Sequence, residues 1–225
     1  VDMLETLFEL PPLIMNAQPT PGRRVAVVTT PGGGSAMVVD RLGAAGLELV
    51  PPSAKLKARM ADFGLDLGNR RVIDLTMAGT GKGVYGAALD VLLNEHDLDA
   101  VVAVVGTSAQ FHPEVAVQPI IEAPKTGKPL AAFLVPQADR SLTLLQDAGI
   151  AAFRTPEACA DGVRALVDWR TPALQPDSGP LSDATRLLAQ ADGDSLSELD
   201  AAAIFAAIGV PMAPTAILND PSAAL

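Results

Sequence analysis

The stretch Arg24-Val25-Ala26-Val27-Val28-Thr29-Thr30-Pro31-Gly32-Gly33-Gly34-Ser35-Ala36-Met37 decides the fold. Its first half is uniformly apolar and rich in valine, the pattern of a strand covered on both faces rather than one with a wet side. Three glycines then turn the chain into a segment whose apolar residues keep helical spacing as far as Leu42. Glycines at such a turn bring successive N–H groups close to an anion, and the helix dipole adds about 0.3–1 kcal/mol of attraction for negative charge. Thr30, Gly32, Gly33, Gly34 and Ser35 are therefore candidate phosphate-binding residues. The alternative is purely structural, because any tight strand-to-helix turn favours glycine.

Working outward, similar short apolar runs recur at Leu47–Val50, Val72–Leu75, Ala100–Val105, Leu130–Leu134 and Ala151–Phe153. Helical patterns separate them, at 35–45, 55–63, 84–94, 113–123, 141–148 and 156–169, the last after a Thr155 cap. Strict alternation implies right-handed crossovers and an α/β fold: an open parallel sheet of five or six strands with helices on both faces. Before the first strand, Met3, Leu4, Leu7, Phe8 and Leu10 form a lead-in helix that Pro11-Pro12 break, so residues 1–22 are a helix and a turn and 23–170 the main domain. Residues 171–194 read as a linker, since Thr171 to Ser182 is rich in Pro, Asp, Ser and Gly. From 195 a new unit begins, with Ser195 and Glu198 at capping-box spacing and Gly209 with Pro211 as stop. About thirty residues cannot bury a core alone.

Composition narrows the function. Nearly half of the 225 residues are apolar but only 4% aromatic, so the core is aliphatic, as helices on a buried sheet require. A net charge of −10 argues against nucleic acid and anionic membrane surfaces as partners. One cysteine, Cys159, excludes an internal disulfide and a cysteine metal cage and fits a cytoplasmic protein. No apolar run is long enough to span a bilayer.

Failed motifs narrow it further. A dinucleotide fingerprint would need glycine where Met37 stands and an acid where Pro51-Pro52 follow the second strand, which argues against a nicotinamide cofactor. Gly79-Thr80-Gly81-Lys82-Gly83 lacks the leading glycine and closing hydroxyl of a Walker loop, leaving a loop whose Lys82 can meet an anion. A nucleophile elbow at Ser35 fails at Met37, so Ser35 reads as a capping or phosphate-binding hydroxyl. His96 and His112 are the only histidines and lack the spacing of a metal site. His112 and Asp74 both fall at the edge where open α/β sheets bind ligands, and are candidate substrate contacts with Lys82; a loop histidine and a turn-forming aspartate are the plainer readings.

The order of these pieces resembles the C-terminal flavodoxin-like module of the NDP-forming acyl-CoA synthetases, the family of succinyl-CoA synthetase. The resemblance runs from the lead-in helix to about Arg170. It rests on Arg23 to Thr29, Gly32 to Gly34, Asp40, Gly46-Leu47-Glu48-Leu49, Asp74-Leu75-Thr76, Tyr85 before Ala87-Ala88-Leu89, Leu98-Asp99-Ala100-Val101, Lys128-Pro129, Gly149-Ile150 and Thr155-Pro156-Glu157-Ala158. Glu198 to Pro211 resembles the opening of the ATP-grasp domain that follows in fused enzymes. The resemblance implies an acid–thiol ligase making acyl-CoA from a carboxylic acid, CoA and NTP through an acyl phosphate and a phosphohistidine, with the glycine turn clamping the phosphoryl group. It implies CoA-binding and ATP-grasp domains as partners in the same protein or complex, ATP or GTP, Mg and CoA used by the whole enzyme, and no cofactor bound by this fragment except phosphate. A homo-oligomer is compatible with it. Neither His96 nor His112 sits in the family's Ser-His-Thr-Gly type segment, so no catalytic residue is assigned and the fragment is expected to be inactive alone. The alternative is a non-catalytic flavodoxin-like binding or assembly module.

Overall fold

A computed structural model describes residues 1–18, 20, 22–30, 32–81, 83–170, 182–190 and 195–215. The chain separates into two units, Val1–Arg170 and Thr171–Leu225.

The first unit is built on six strands: β1 Arg24–Thr29, β2 Glu48–Leu49, β3 Val72–Asp74, β4 Ala100–Val105, β5 Leu130–Leu134 and β6 Ala151–Phe153. Every pairing is parallel. β4 takes the whole of one edge of β1, from Val25↔Ala100 to Thr29↔Val104. β2 and β3 must then share the other edge, β2 beside Arg24 and Val25 and β3 beside Val27 to Thr29. Counted by position across the sheet, this is a five-column order in which the chain leaves β1 in one direction and returns on the opposite side at β4, then runs outward through β5 to β6. That is the flavodoxin-like arrangement, with its topological switch between β1 and β4.

The uniform apolar runs conceal an alternation. Val25, Val27, Val102, Val104 and Phe133 point into one core with Leu10, Leu13, Val38, Leu42 and Val163. Ala26, Val28, Val101, Ala103 and Leu134 point into the other with Leu56, Leu89, Leu92, Ile120 and Leu145. The first face is covered by α1 (Leu4–Glu9), α2 (Pro11–Asn16), α3 (Gly32–Ala44) and α9 (Pro156–Val167). The second is covered by α4 (Ala54–Ala61), α5 (Val84–Leu93), α7 (Pro113–Ile121) and α8 (Asp139–Asp147), with the short α6 (Ser108–Phe111) between β4 and α7.

The lead-in segment differs from expectation in two ways. Pro11 both ends α1 and occupies the first turn of α2, because proline at that place needs no N–H and its fixed φ suits a helix start. α1 is also turned polar side in. Thr6 and Glu9 are buried, whereas Leu4, Leu7 and Phe8 are exposed. Ion pairs hold it that way: Arg154 reaches Glu9 at 2.5 Å, and Arg164 reaches Asp2 at 2.7 Å and Asp161 at 2.8 Å. Asp161 also accepts from the backbone N–H groups of Asp2 and Met3. Burial alone would push its carboxyl up; the Arg164 hydrogen bond and these N–H donors reverse that and hold it below the usual carboxylate range.

In the second unit α10 (Ser182–Ala189) and α11 (Glu198–Ala207) pack on each other. α10 lies within the stretch read from sequence as linker. The cap of α11 is Ser197, whose Oγ accepts from Asp200 N–H and donates to the Asp200 carboxylate at 2.6 Å, rather than the Ser195–Glu198 pair. The two serines lie two residues apart, and the helix starts two residues later than a Ser195 cap requires.

Candidate functional site

The site forms where the switch point places it, beyond the C-terminal ends of β1 and β4. α3 starts at Gly32, three residues after β1 ends, so a thirteen-residue helix aims its N-terminus at that edge. Two of its glycines have opposite reasons to exist. A Cβ on Gly34 would lie 2.3 Å from Val135 Cγ1 and 3.6 Å from Val104 Cγ1, so Gly34 allows the first turn to press against the end of β4 and the loop after β5. A Cβ on Gly33 would meet nothing within 4 Å. Gly33 is exposed and no packing requires its bareness.

Ser35 sits in the fourth helical position and is 1% exposed. It is therefore not the capping hydroxyl that the sequence suggested, because the helix begins a turn earlier than its apolar pattern does. Thr30 leads out of β1 and is half-buried; its methyl lies where a Cβ on Gly79 would come within 2.7 Å, so the 3₁₀ turn Met77–Thr80 packs closely over it. That turn is set by Asp74 and Thr76. Asp74 Oδ1 accepts from Thr76 N–H at 2.8 Å, and Thr76, with φ at 54° and ψ at −163°, caps Ala78 N–H through its side chain. A threonine in that region of the backbone map is strained.

Tyr85, in the first turn of α5, is buried and places its hydroxyl 3.1 Å from the Val28 carbonyl and 3.2 Å from that of Val104. It thereby ties together β1 and β4 beside the switch point. Burial pushes its phenol far above the ordinary tyrosine range, with the Val104 contact opposing. Beside it a groove of about 960 Å³ opens between α5 and α7, and Thr30, Tyr85, Ser108 and His112 are in its wall. Among the described residues no cluster of His, Cys, Asp or Glu is arranged to hold a metal ion.

No protein-family model matches the chain. It is 30% identical over 159 residues, 67% of its own length and 35% of the relative's, to the ADP-forming acetate–CoA ligase II subunit alpha of Pyrococcus furiosus. This chain is a relative of the NDP-forming acyl-CoA synthetases. Solved structures share the fold of these synthetases' relative. PH0766 from Pyrococcus horikoshii OT3 superposes with a TM-score of 0.60 at 21% identity, over 74% of this chain and 40% of that one. The dinucleotide-forming acetyl-coenzyme A synthetase 1 of Ca. Korarchaeum cryptofilum gives 0.63 at 23% identity, over 74% and 37%. The same synthetase in complex with phosphate and ADP gives 0.62. The chain thus spans between 35% and 40% of the lengths of these proteins.

Within this synthetase relative, the residues singled out from sequence do not converge on one point. Gly33 and Gly34 lie in the first turn of α3, and Thr30 and His112 share the groove wall. The Asp74 carboxylate is engaged in its own turn. Lys82 lies outside the described residues. Sequence reasoning did not assign the groove to Tyr85, Gly86, Asp90, Glu114 or Val115. A visible signal was that Tyr85 is the sole tyrosine of the chain. Among the described residues no helix is long and apolar enough to cross a membrane.

Proposed function

We propose that this chain is a segment of an acid–CoA ligase that clamps a transferred phosphoryl group at the N-terminus of α3. The ligase converts a carboxylic acid, CoA and NTP to acyl-CoA, NDP and phosphate, by way of an acyl phosphate and a phosphohistidine carried outside this segment. Gly33 is the observation that carries the reading: an exposed helical glycine, bare for no internal reason, in the first turn of a long helix at the switch point. The N–H groups of Gly32 to Gly34 stabilise phosphoryl charge without having to reorient, which is how such a module contributes to phosphoryl transfer. Thr30 borders the site and Ser35 forms its floor. CoA, the nucleotide (ATP or GTP) and Mg belong to the CoA-binding and ATP-grasp domains of the same protein or complex, and residues 195–225 are the opening of the latter.

Phosphate titration followed by amide chemical shifts tests the clamp, with Gly32 to Ser35 expected to move first; absence of any preference for that turn sinks it. The outward apolar residues of α1 favour the rival role, an assembly module with purely structural glycines. Replacing Gly33 with leucine in the complete enzyme separates the two. Lost turnover with assembly intact supports the clamp, and unchanged turnover supports the rival.

A further inference from the structure

The groove between α5 and α7 has features that the phosphoryl clamp does not use. It follows α7 from Pro113 to Ile121 and continues to Pro124, so the helical part of its wall is about 12 Å long. Across it, Gly86 lies in the first turn of α5, where a Cβ would meet nothing within 4 Å. With no side chain there, the α5 backbone is open to the groove.

The rim is apolar and acidic together. Met77 and Val115, 78% and 72% exposed, stand on it. So do the exposed carboxylates of Asp90, Glu114 and Glu122, and among the described lining residues there is no Lys or Arg. Glu114 is held below the usual carboxylate range by the backbone N–H at its helix start and by Arg140, so it stays charged. Glu122 occupies the C-terminal end of α7, where the helix dipole disfavours an acid unless a cation lies near. Pro119 also lines the groove, inside α7. Apolar surface and exposed carboxylates favour a positively charged, apolar-faced partner.

We propose that the α5–α7 groove docks an amphipathic helix of another polypeptide, whose apolar ridge fills the groove and whose lysines or arginines pair with Glu114 and Glu122. These acids are eight residues apart on α7, about 12 Å along its axis, so the matching cations lie seven or eight residues apart on the docked helix. The groove's length favours a helix over a compact small molecule. The proposal stands whether or not α3 holds phosphate.

The test uses the 225-residue chain and two labelled peptides of about 15 residues sharing one leucine ridge, flanked by lysines in one and glutamates in the other. Fluorescence anisotropy should show the lysine peptide binding at least about tenfold tighter, with the preference shrinking as salt is raised. Gly86→Leu fills the groove and should weaken the lysine peptide at least about tenfold while circular dichroism and melting temperature hold or rise. The double variant Asp90→Lys/Glu122→Lys, at exposed positions that do not endanger folding, should reverse the preference. Equal binding of the two peptides, binding by neither, or indifference to Gly86→Leu overturns the proposal. So does a bound apolar dye such as anilinonaphthalenesulfonate that neither peptide displaces, which assigns the groove to a small molecule.

Discussion

Replacing Gly34 with alanine should destabilise the protein, and the same change one residue earlier should stabilise it. At Gly34 the new methyl would sit 2.3 Å from Val135 Cγ1, well inside contact distance. Valine is stiff about χ1, so it relieves the clash by moving backbone as well as side chain. Overpacking of this kind costs about 1–3 kcal/mol, and the gain of alanine over glycine in a helix returns about 0.5–1. The net loss falls between about 0 and 2.5 kcal/mol, and the 2.3 Å approach puts it toward the upper end. At Gly33 nothing lies within 4 Å, leaving only the gain of up to about 1 kcal/mol. Trp169, the sole tryptophan, follows α9, which packs on α3, so its fluorescence in urea reads the stability of the first unit. The two midpoints should separate in opposite directions from wild type with the slope m unchanged, since neither change alters the surface exposed on unfolding. Each kcal/mol should also shift the melting temperature by about 2–4 °C for a unit of this size. Midpoints that move together, or a Gly34→Ala protein more stable than Gly33→Ala, would refute the close-approach account of this turn.

Tyr85→Phe removes the one hydroxyl proton shared between the Val28 and Val104 carbonyls and should cost about 1–3 kcal/mol in thermal or urea unfolding. Because the folded phenol titrates far above the unfolded one, stability is full below about pH 10 and falls as pH rises beyond it; ultraviolet absorbance should show no ionisation of the sole tyrosine until the chain unfolds. Asp161 works in the opposite sense. Its carboxyl is depressed in the fold, so its contribution is present above the ordinary carboxylate range and is lost as pH falls through it, and Asp161→Asn should flatten the acid limb of a stability–pH curve. Arg154→Ala strands the buried Glu9 carboxylate and should cost about 1–3 kcal/mol, less than a fully buried pair because Arg154 is itself partly exposed; Glu9→Gln in that background should recover part of the loss in the same melt.

The central strands were legible because burial on both faces removes every polar residue: Ala100–Val105, Leu130–Leu134 and Ala151–Phe153 match their runs residue for residue. What the runs conceal is which alternate residues face which core, and that β2 and β3 share one edge of β1, a pairing between segments that no local pattern encodes. The end of α1 was readable from Pro11-Pro12, but the start of α2 at the same prolines was not, since proline is as good at a first turn as it is bad in an interior. At the site, three consecutive glycines looked equivalent. Only the approach of Val135 separates Gly34, which packing requires, from Gly33, which it does not. The Gly79–Gly83 loop, Thr30 and His112 were singled out one by one, but no local pattern joins them into a groove, because it is the space left between two helices whose separation depends on the whole second core.

The shared edge of β1 has a further consequence for association. The sheet ends on one side in strands of two and three residues and on the other in the three residues of β6, while its interior strands run to five or six. Long, flat borders recruit strands from neighbouring chains and lead to aggregates, and very short ones are a way of denying them a template. Edges of two and three residues offer a neighbouring strand little to pair with. The helices, not the sheet borders, make up most of the surface of the first unit's two faces.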